Sequence, residues 1–272
     1  MIKLIASDID GTLIKEGTHA FPKELGHVID RLKKQGILFV AASGRQYKSM
    51  YNLFKDKAED IIFVSGNGSY IRCRNRDISE HRMSKDILER LVKEIRSMEQ
   101  DGYLFMAESK DTAYVEVNSD EFKDLLVKGY HYEITPVKDI LKECDDVLKI
   151  SLYHKTDIQA AADRMIPRWQ AELKVLRSGT NWVDFMPQGV DKGNAIDFIQ
   201  KVMGISKEET VVFGDNTNDV GMFGKAKYSY AVEDAAKEVQ KQAAYIIESP
   251  EKQGVIRFLQ NMADKLEQGL EI

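Results

Sequence analysis

Cysteine and proline are scarce in this chain, with two and five among 272 residues. Cys73 and Cys144 lie far apart and belong to no metal-ligand spacing, so a thiolate-held metal and a disulfide-stapled fold are both excluded. Two free thiols in a reducing cytoplasm are expected. No apolar run approaches the ~20 residues that cross a bilayer, and the first residues lead into a strand rather than a signal peptide. Basic residues are not in excess: 39 Lys and Arg stand against 44 Asp and Glu, a formal charge of −5. The chain therefore has no basic footprint for nucleic acid. Repeats and low-complexity stretches are absent as well. Neither nucleic acid, membrane nor an obligate protein partner is expected. The remaining composition, 43% hydrophobic and 31% charged, is that of a soluble globular protein with one large or two ordinary domains.

The most informative stretch is Asp8-Ile9-Asp10-Gly11-Thr12-Leu13. It follows Ile2-Lys3-Leu4-Ile5-Ala6-Ser7, an apolar run that reads as a buried parallel strand. Ligands bind at the carboxyl ends of strands in open α/β sheets. Two carboxylates so close repel each other unless a cation lies between them, and oxygen ligands suit a hard divalent ion. Asp8 is then placed to attack phosphorus and Asp10 to move protons, with Mg²⁺ holding both to a phosphate. The plain alternative is a strand-end turn, where Asp and Gly are common.

Further along, Leu25, Val28, Ile29 and Leu32 fall at helical spacing between Pro22 and Gly36. A second apolar strand, Ile37–Ala42, runs into Ser43-Gly44-Arg45 and a helical stretch through Leu53. Ser43 reads either as a helix N-cap or as a hydroxyl binding phosphate beside backbone N–H groups. Ile61–Ser65 is a third strand, and Asn67-Gly68 before Tyr70–Cys73 is a hairpin signal, read as structural.

From about His81 the pattern changes. Lys85 to Met98 is an amphipathic helix, and strands are expected at 103–107, 112–117, around 147–153, at 176–177 and at 182–186. Helices are expected near 120–128 and at 157–173. This mixture without strict alternation suggests an α+β module inserted in an α/β sheet.

Asp191-Lys192-Gly193-Asn194-Ala195 then opens a helix whose expected face is Ala195, Ile196, Phe198, Ile199 and Val202. Lysine near a helix N-terminus opposes the dipole, which suggests an anionic ligand; a solvated surface lysine is the alternative. Glu209–Phe213 is another apolar strand, and Gly214-Asp215-Asn216-Thr217-Asn218-Asp219 follows it. Asp215 and Asp219 add carboxylates at a strand end if this strand neighbours the first; otherwise the motif is an Asx-rich turn. Tyr228–Val232, Ala235–Ala243 and Tyr245–Ile247 read as strand, helix and strand, with a last helix from Ile256.

These four motifs, in this order, resemble those of the haloacid dehalogenase-like hydrolase superfamily, in particular its Cof-type sugar-phosphate phosphatases with a type IIB α/β cap. The resemblance covers roughly residues 1–82 and 185–272. It implies a Rossmann-like parallel-sheet core from those two segments, with residues 83–184 as an inserted α+β cap that sets substrate specificity. It implies Asp8 as nucleophile, forming an aspartyl-phosphate, and Asp10 as acid and base. Mg²⁺ would be held by Asp8, the backbone carbonyl of Asp10, and Asp215, with Asp219 in support. Ser43, Gly44, Lys192 and Asn218 would bind the substrate phosphate, and Arg45 matches a frequent arginine after the Ser-Gly pair. The implied activity is Mg²⁺-dependent hydrolysis of small phosphomonoesters. Phosphomutase or phosphotransferase chemistry on the same fold is the alternative, and a non-catalytic phosphate-binding regulator is a third. The cap has no motif that transfers.

Overall fold

The computed structural model describes residues 1–16, 18, 20–116, 119–178 and 180–270. Val117 of the expected 112–117 strand lies outside them. Strands β1 (Leu4–Ser7), β2 (Leu38–Ala42), β3 (Ile61–Ser65), β4 (Tyr70–Cys73) and β5 (Arg76–Glu80) come first. Strands β6 (Tyr103–Glu108), β7 (Ala113–Val115), β8 (Ile134–Pro136), β9 (Lys149–His154), β10 (Leu173–Ser178) and β11 (Trp182–Pro187) follow. Strands β12 (Thr210–Gly214), β13 (Tyr228–Val232) and β14 (Tyr245–Ile247) close the series. The helices are α1 (Lys23–Lys34), α2 (Tyr47–Leu53), α3 (Lys85–Arg96), α4 (Asp120–Asp124), α5 (Ile140–Glu143), α6 (Gln159–Trp169), α7 (Lys192–Met203), α8 (Val220–Phe223), α9 (Lys237–Gln240) and α10 (Gly254–Glu267). No helix among the described residues is long and apolar enough to cross a membrane.

Two sheets form. The first has eight strands in the order β14-β13-β12-β1-β2-β3-β4-β5. It is parallel from β14 to β3 and turns antiparallel at β4. Its central strands are uniformly apolar because helices cover both faces of such a sheet. On one side Leu4, Ala6, Val40, Val64 and Val212 pack with Ile196 and Ile199 of α7. The decisive pairing is β1 with β12, where Ser7 lies opposite Phe213. It brings the chain just past Ser7 beside the chain just past Gly214, although about 200 residues separate them in sequence.

The second sheet has the order β10-β11-β9-β6-β7-β8 and is antiparallel except between β7 and β8. Leu88, Leu91, Val92 and Ile95 of α3 and Met165 and Trp169 of α6 cover one face, over Phe105, Leu152 and Phe185. Buried in this unit is a charged network. Lys149 Nζ lies 3.0 Å from Glu108 Oε2, with side chains 3% and 2% exposed. Tyr132 Oη donates to the same Glu108 oxygen at 3.2 Å, and Ser151 and Ser178 donate to Asp184 at 2.6 and 2.7 Å. Burial opposes the Lys149 ammonium, but Asp184 and Glu108 outweigh it and hold its pKa above the ordinary value.

The chain divides into two compact units, one of residues 1–45, 50–78 and 191–272, the other of residues 46–49 and 79–190. Strand β11, through which an 184/185 boundary would run, pairs wholly within the second sheet.

Several elements differ from the sequence reading. The expected 157–173 helix stops at Trp169, and Leu173 begins β10 instead. Pro167 lies in the last turn of α6, where the ring removes a helix hydrogen bond. Strand β5 was not expected: Arg-Asp-Ile-Ser-Glu has no apolar alternation, and it sits at a sheet edge. It is reached through Arg74 and Asn75, both at positive φ, as a two-residue hairpin turn requires. In α7 the buried apolar positions are Ala195, Ile196 and Ile199. Phe198 and Val202, expected on that face, are 37% and 60% exposed.

Candidate active site

Asp8 follows β1 directly and is 5% exposed. Its N–H donates to the Phe213 carbonyl at 3.0 Å, which carries the β1–β12 ladder one residue further. Lys192 is the first residue of α7, after Asp191, whose side chain caps the helix by accepting from Asn194 N–H at 2.7 Å. That cap aims the lysine inward. Its side chain is 1% exposed, with Nζ 2.5 Å from Asp8 Oδ1 and 2.7 Å from Asp219 Oδ1. The reading of Lys192 as a solvated surface lysine is thereby excluded, and the two carboxylates account for its cost at a helix N-terminus.

Asp219 is fully buried, and both of its oxygens are engaged. Oδ1 accepts from Lys192; Oδ2 accepts from Asp215 N–H and Asn216 N–H, each at 3.0 Å. It orients the lysine and the loop after β12 together. Asp215 turns toward β1, where its Oδ1 accepts from Thr12 Oγ1 at 2.8 Å. Gly11, at φ 80°, leaves room for it: a Cβ there would stand 2.6 Å from Asp215 Oδ2. Any side chain at residue 11 would displace the carboxylate and also strain the backbone.

Carboxylate oxygens of Asp8, Asp215 and Asp219 lie within 4.8 Å of one another. Burial pushes the Asp8 carboxyl well above the ordinary range; Lys192 opposes the rise, and Asp219 and Asp215 add to it. Burial and the neighbouring Asp219 push Asp215 up to about 6. One lysine does not neutralise three gathered carboxylates, and an all-oxygen donor set of this charge suits a hard divalent cation. The residues present fit such an ion.

Asp10 faces away from this cluster. Arg45 grips its carboxylate with both arms, Nε to Oδ2 at 2.7 Å and a terminal nitrogen to Oδ1 at 2.5 Å. Ser43 is 3% exposed, and its Oγ accepts from Arg45 N–H at 3.1 Å. It caps a local turn rather than α2, which begins only at Tyr47. Asn218 Nδ2 donates to Asn67 Oδ1 at 3.0 Å, while its buried Oδ1 has no partner among the described residues.

The structure thus gathers Asp8, Lys192, Asp215 and Asp219 into one contact set. It places Asp10 against Arg45, and Ser43, Gly44 and Asn218 around Asn67. Three participants had no role assigned from sequence. Thr12 stood inside a quoted motif, Arg45 was matched only as a frequent residue, and Asn67 was read as a hairpin residue.

Residues 5–259 match the haloacid dehalogenase-like hydrolase family profile. The chain is 28% identical to 5-amino-6-(5-phospho-D-ribitylamino)uracil phosphatase YbjI of Escherichia coli over 256 residues, 94% of each protein. It is 25% identical to the phosphatase YwtE of Bacillus subtilis, named for the same substrate, across 96% of this chain and 98% of that one. A solved structure from Eubacterium rectale superposes with a TM-score of 0.89 at 31% identity, covering 96% of this chain and 99% of that one. With its motifs on the ends of β1, β2 and β12 and at the start of α7, this chain belongs to the haloacid dehalogenase-like hydrolase family.

Proposed function

We propose that this protein is a Mg²⁺-dependent phosphatase of small phosphomonoesters, sugar phosphates foremost, working through an aspartyl-phosphate. The observation that carries the reading is Lys192 Nζ between Asp8 and Asp219, with Asp215 alongside, at the carboxyl ends of β1 and β12. A buried ammonium touching a carboxylate nucleophile puts positive charge where the equatorial oxygens of a transferring phosphoryl group spread their own.

Asp8 attacks phosphorus through a carboxylate oxygen, and the bond from phosphorus to the ester oxygen breaks. Asp10, carrying a proton, delivers it to the departing oxygen. Asp10 then takes a proton from water as that water attacks the aspartyl-phosphate, releasing phosphate and restoring Asp8. Arg45 donates to both oxygens of Asp10, so one arm must let go before an Asp10 oxygen reaches the departing oxygen or the water. Lys192 steadies the phosphoryl oxygens, Ser43 and the adjoining Gly44 backbone bind them from the β2 end, and Asn218 from the β12 loop. Asp8 and Asp215 would hold Mg²⁺, with the Asp10 carbonyl as a further ligand and Asp219 behind them. When bound, the ion neutralises charge on both nucleophile and phosphate.

Residues 79–190 form the cap that reads the leaving group, in a protein of the cytoplasm. Names of similar phosphatases, for a phospho-ribitylamino-uracil in two of them, support a small polyol-bearing metabolite. The test is phosphate release from a panel of phosphorylated metabolites with Mg²⁺ and with EDTA. Metal-dependent release from a related group of sugar phosphates is the expected result. No release by folded, Mg²⁺-supplied protein overturns the reading.

A further inference from the structure

The Gly66-Asn67-Gly68 turn between β3 and β4 does more than reverse the chain. Asn67 sits in the left-handed region at φ 57° and is 4% exposed. Its N–H donates to the Ser43 carbonyl at 2.9 Å, and the Gly66 N–H donates to the Arg45 carbonyl at 3.0 Å. Its side-chain Oδ1 accepts from Asn218 Nδ2 at 3.0 Å, across 151 residues of sequence. A Cβ on Gly44 would stand 3.2 Å from that same Oδ1, so the amide rests on the Gly44 backbone. A Cβ on Gly68 would stand 2.6 Å from the carbonyl of Asp191, the residue just before Lys192. One turn touches the three loops that carry Ser43, Lys192 and Asn218.

The backbone shape alone does not call for asparagine. Glycine adopts positive φ without steric cost and would make the same turn. The side chain at residue 67 is therefore accounted for by what its amide touches. Among the described residues the buried Asn218 Oδ1 has no partner, and a buried oxygen of this kind calls for one from outside the chain, such as water or a ligand.

We propose that Asn67 is a positioning residue for phosphoryl transfer. Its amide holds Asn218 and props the Ser43-Gly44 backbone, so that groups from the two loops converge on one phosphoryl group. This rests on the phosphatase reading above.

The test is a double-mutant cycle with Asn67→Gly, Asn218→Ala and the double variant, with Asn67→Ala as a backbone control. Turnover of p-nitrophenyl phosphate with Mg²⁺, Tm, and affinity for inorganic phosphate are measured on each. Asn67→Gly and Asn218→Ala should each lower kcat at least about tenfold with little change in Tm. The double variant should be no worse than the more impaired single one, as for groups acting as a unit. Asn67→Ala should add a loss of Tm without a further loss of kcat, because alanine resists positive φ. Wild-type turnover in Asn67→Gly overturns the proposal, and so do losses that multiply in the double variant. If the wild-type protein hydrolyses nothing, the phosphatase reading fails on its own. The cycle is then decided on inorganic phosphate: affinity lost in both single variants and no further in the double supports positioning, and unchanged affinity overturns it.

Discussion

Lys192 and Asp219 form an ion pair of 2.7 Å with side chains 1% and 0% exposed, and the same ammonium reaches Asp8 at 2.5 Å. Removing one partner of a buried pair leaves the other charge stranded, which typically costs about 3–5 kcal/mol. Lys192→Met should therefore lower the metal-free protein's stability by about that much. It should also cut kcat by about 10²–10³-fold or more, since a preorganised charge is lost. Urea titrations with and without Mg²⁺ check this: added Mg²⁺ should stabilise the variant more than the wild type, having three unneutralised carboxylates to meet.

Asp8→Asn separates chemistry from fold. An amide is isosteric and carries no charge, so the burial and repulsion that raise the Asp8 pKa disappear. Phosphate release should fall at least ~10³-fold, as when other nucleophiles are removed, while the metal-free Tm stays level or rises. Near-normal release from this variant would sink the covalent route.

The pH dependence of stability has an unusual sign here. Asp215 is raised in the folded protein from 3.8 to about 6, so between those values the folded state binds more protons than the unfolded. This group's contribution to metal-free stability is then complete below pH 4 and is lost as pH rises through about 6. A cation needs the ionised carboxylate, so the Tm gain from Mg²⁺ should grow from pH 5 to pH 8. Melts across that range in EDTA and in Mg²⁺ measure it, and a gain as large at pH 5 as at pH 8 contradicts the assignment of Asp215 as a ligand.

In the inserted unit, Lys149→Met leaves Glu108 and Asp184 buried without their cation. The expected loss is again about 3–5 kcal/mol, read by chemical denaturation. A loss below about 1 kcal/mol would mean that the network is not held together by charge.

One misassigned and one correctly assigned position of α7 give a cheap contrast. Val202→Lys should change stability by no more than about 0.5 kcal/mol, as surface substitutions do. Ile199→Ala should cost about 2–5 kcal/mol, as buried aliphatic truncations do. Comparable losses at both would mean that Val202 is covered in solution.

The parts of the site that were legible in sequence are those written locally. Asp8, Lys192, Asp215 and Asp219 each lie at a strand end or helix start that hydrophobic patterning locates within a residue or two. Asn67 was not legible as more than a turn, because its partners Ser43 and Asn218 are distant in sequence and its neighbours spell an ordinary hairpin. Asp10 was readable as a carboxylate near the site, but its grip by Arg45 depends on how β1 and β2 align. In the fold, the central strands were visible as apolar runs. Strand β5 was hidden by its polar residues at an edge, and the end of α6 was overrun because Leu173 continues a helical spacing that Pro167 has already broken. Helix α7 packs through Ala195, Ile196 and Ile199 and leaves Phe198 and Val202 exposed, because periodicity does not say how wide a stripe the neighbours cover.

Because β1 pairs with β12, Thr12 meets Asp215 across 203 residues. During synthesis the first carboxylates of the site emerge early and wait for almost the whole chain before their partners exist. Such a contact closes late and at a high entropy cost. A nascent or truncated chain ending before Gly214 would have Asp8 and Lys192 but neither Asp219, which pairs with that lysine, nor Asp215, which meets Thr12. The carboxylate cluster is thereby completed only after the last third of the chain has folded onto the first strand.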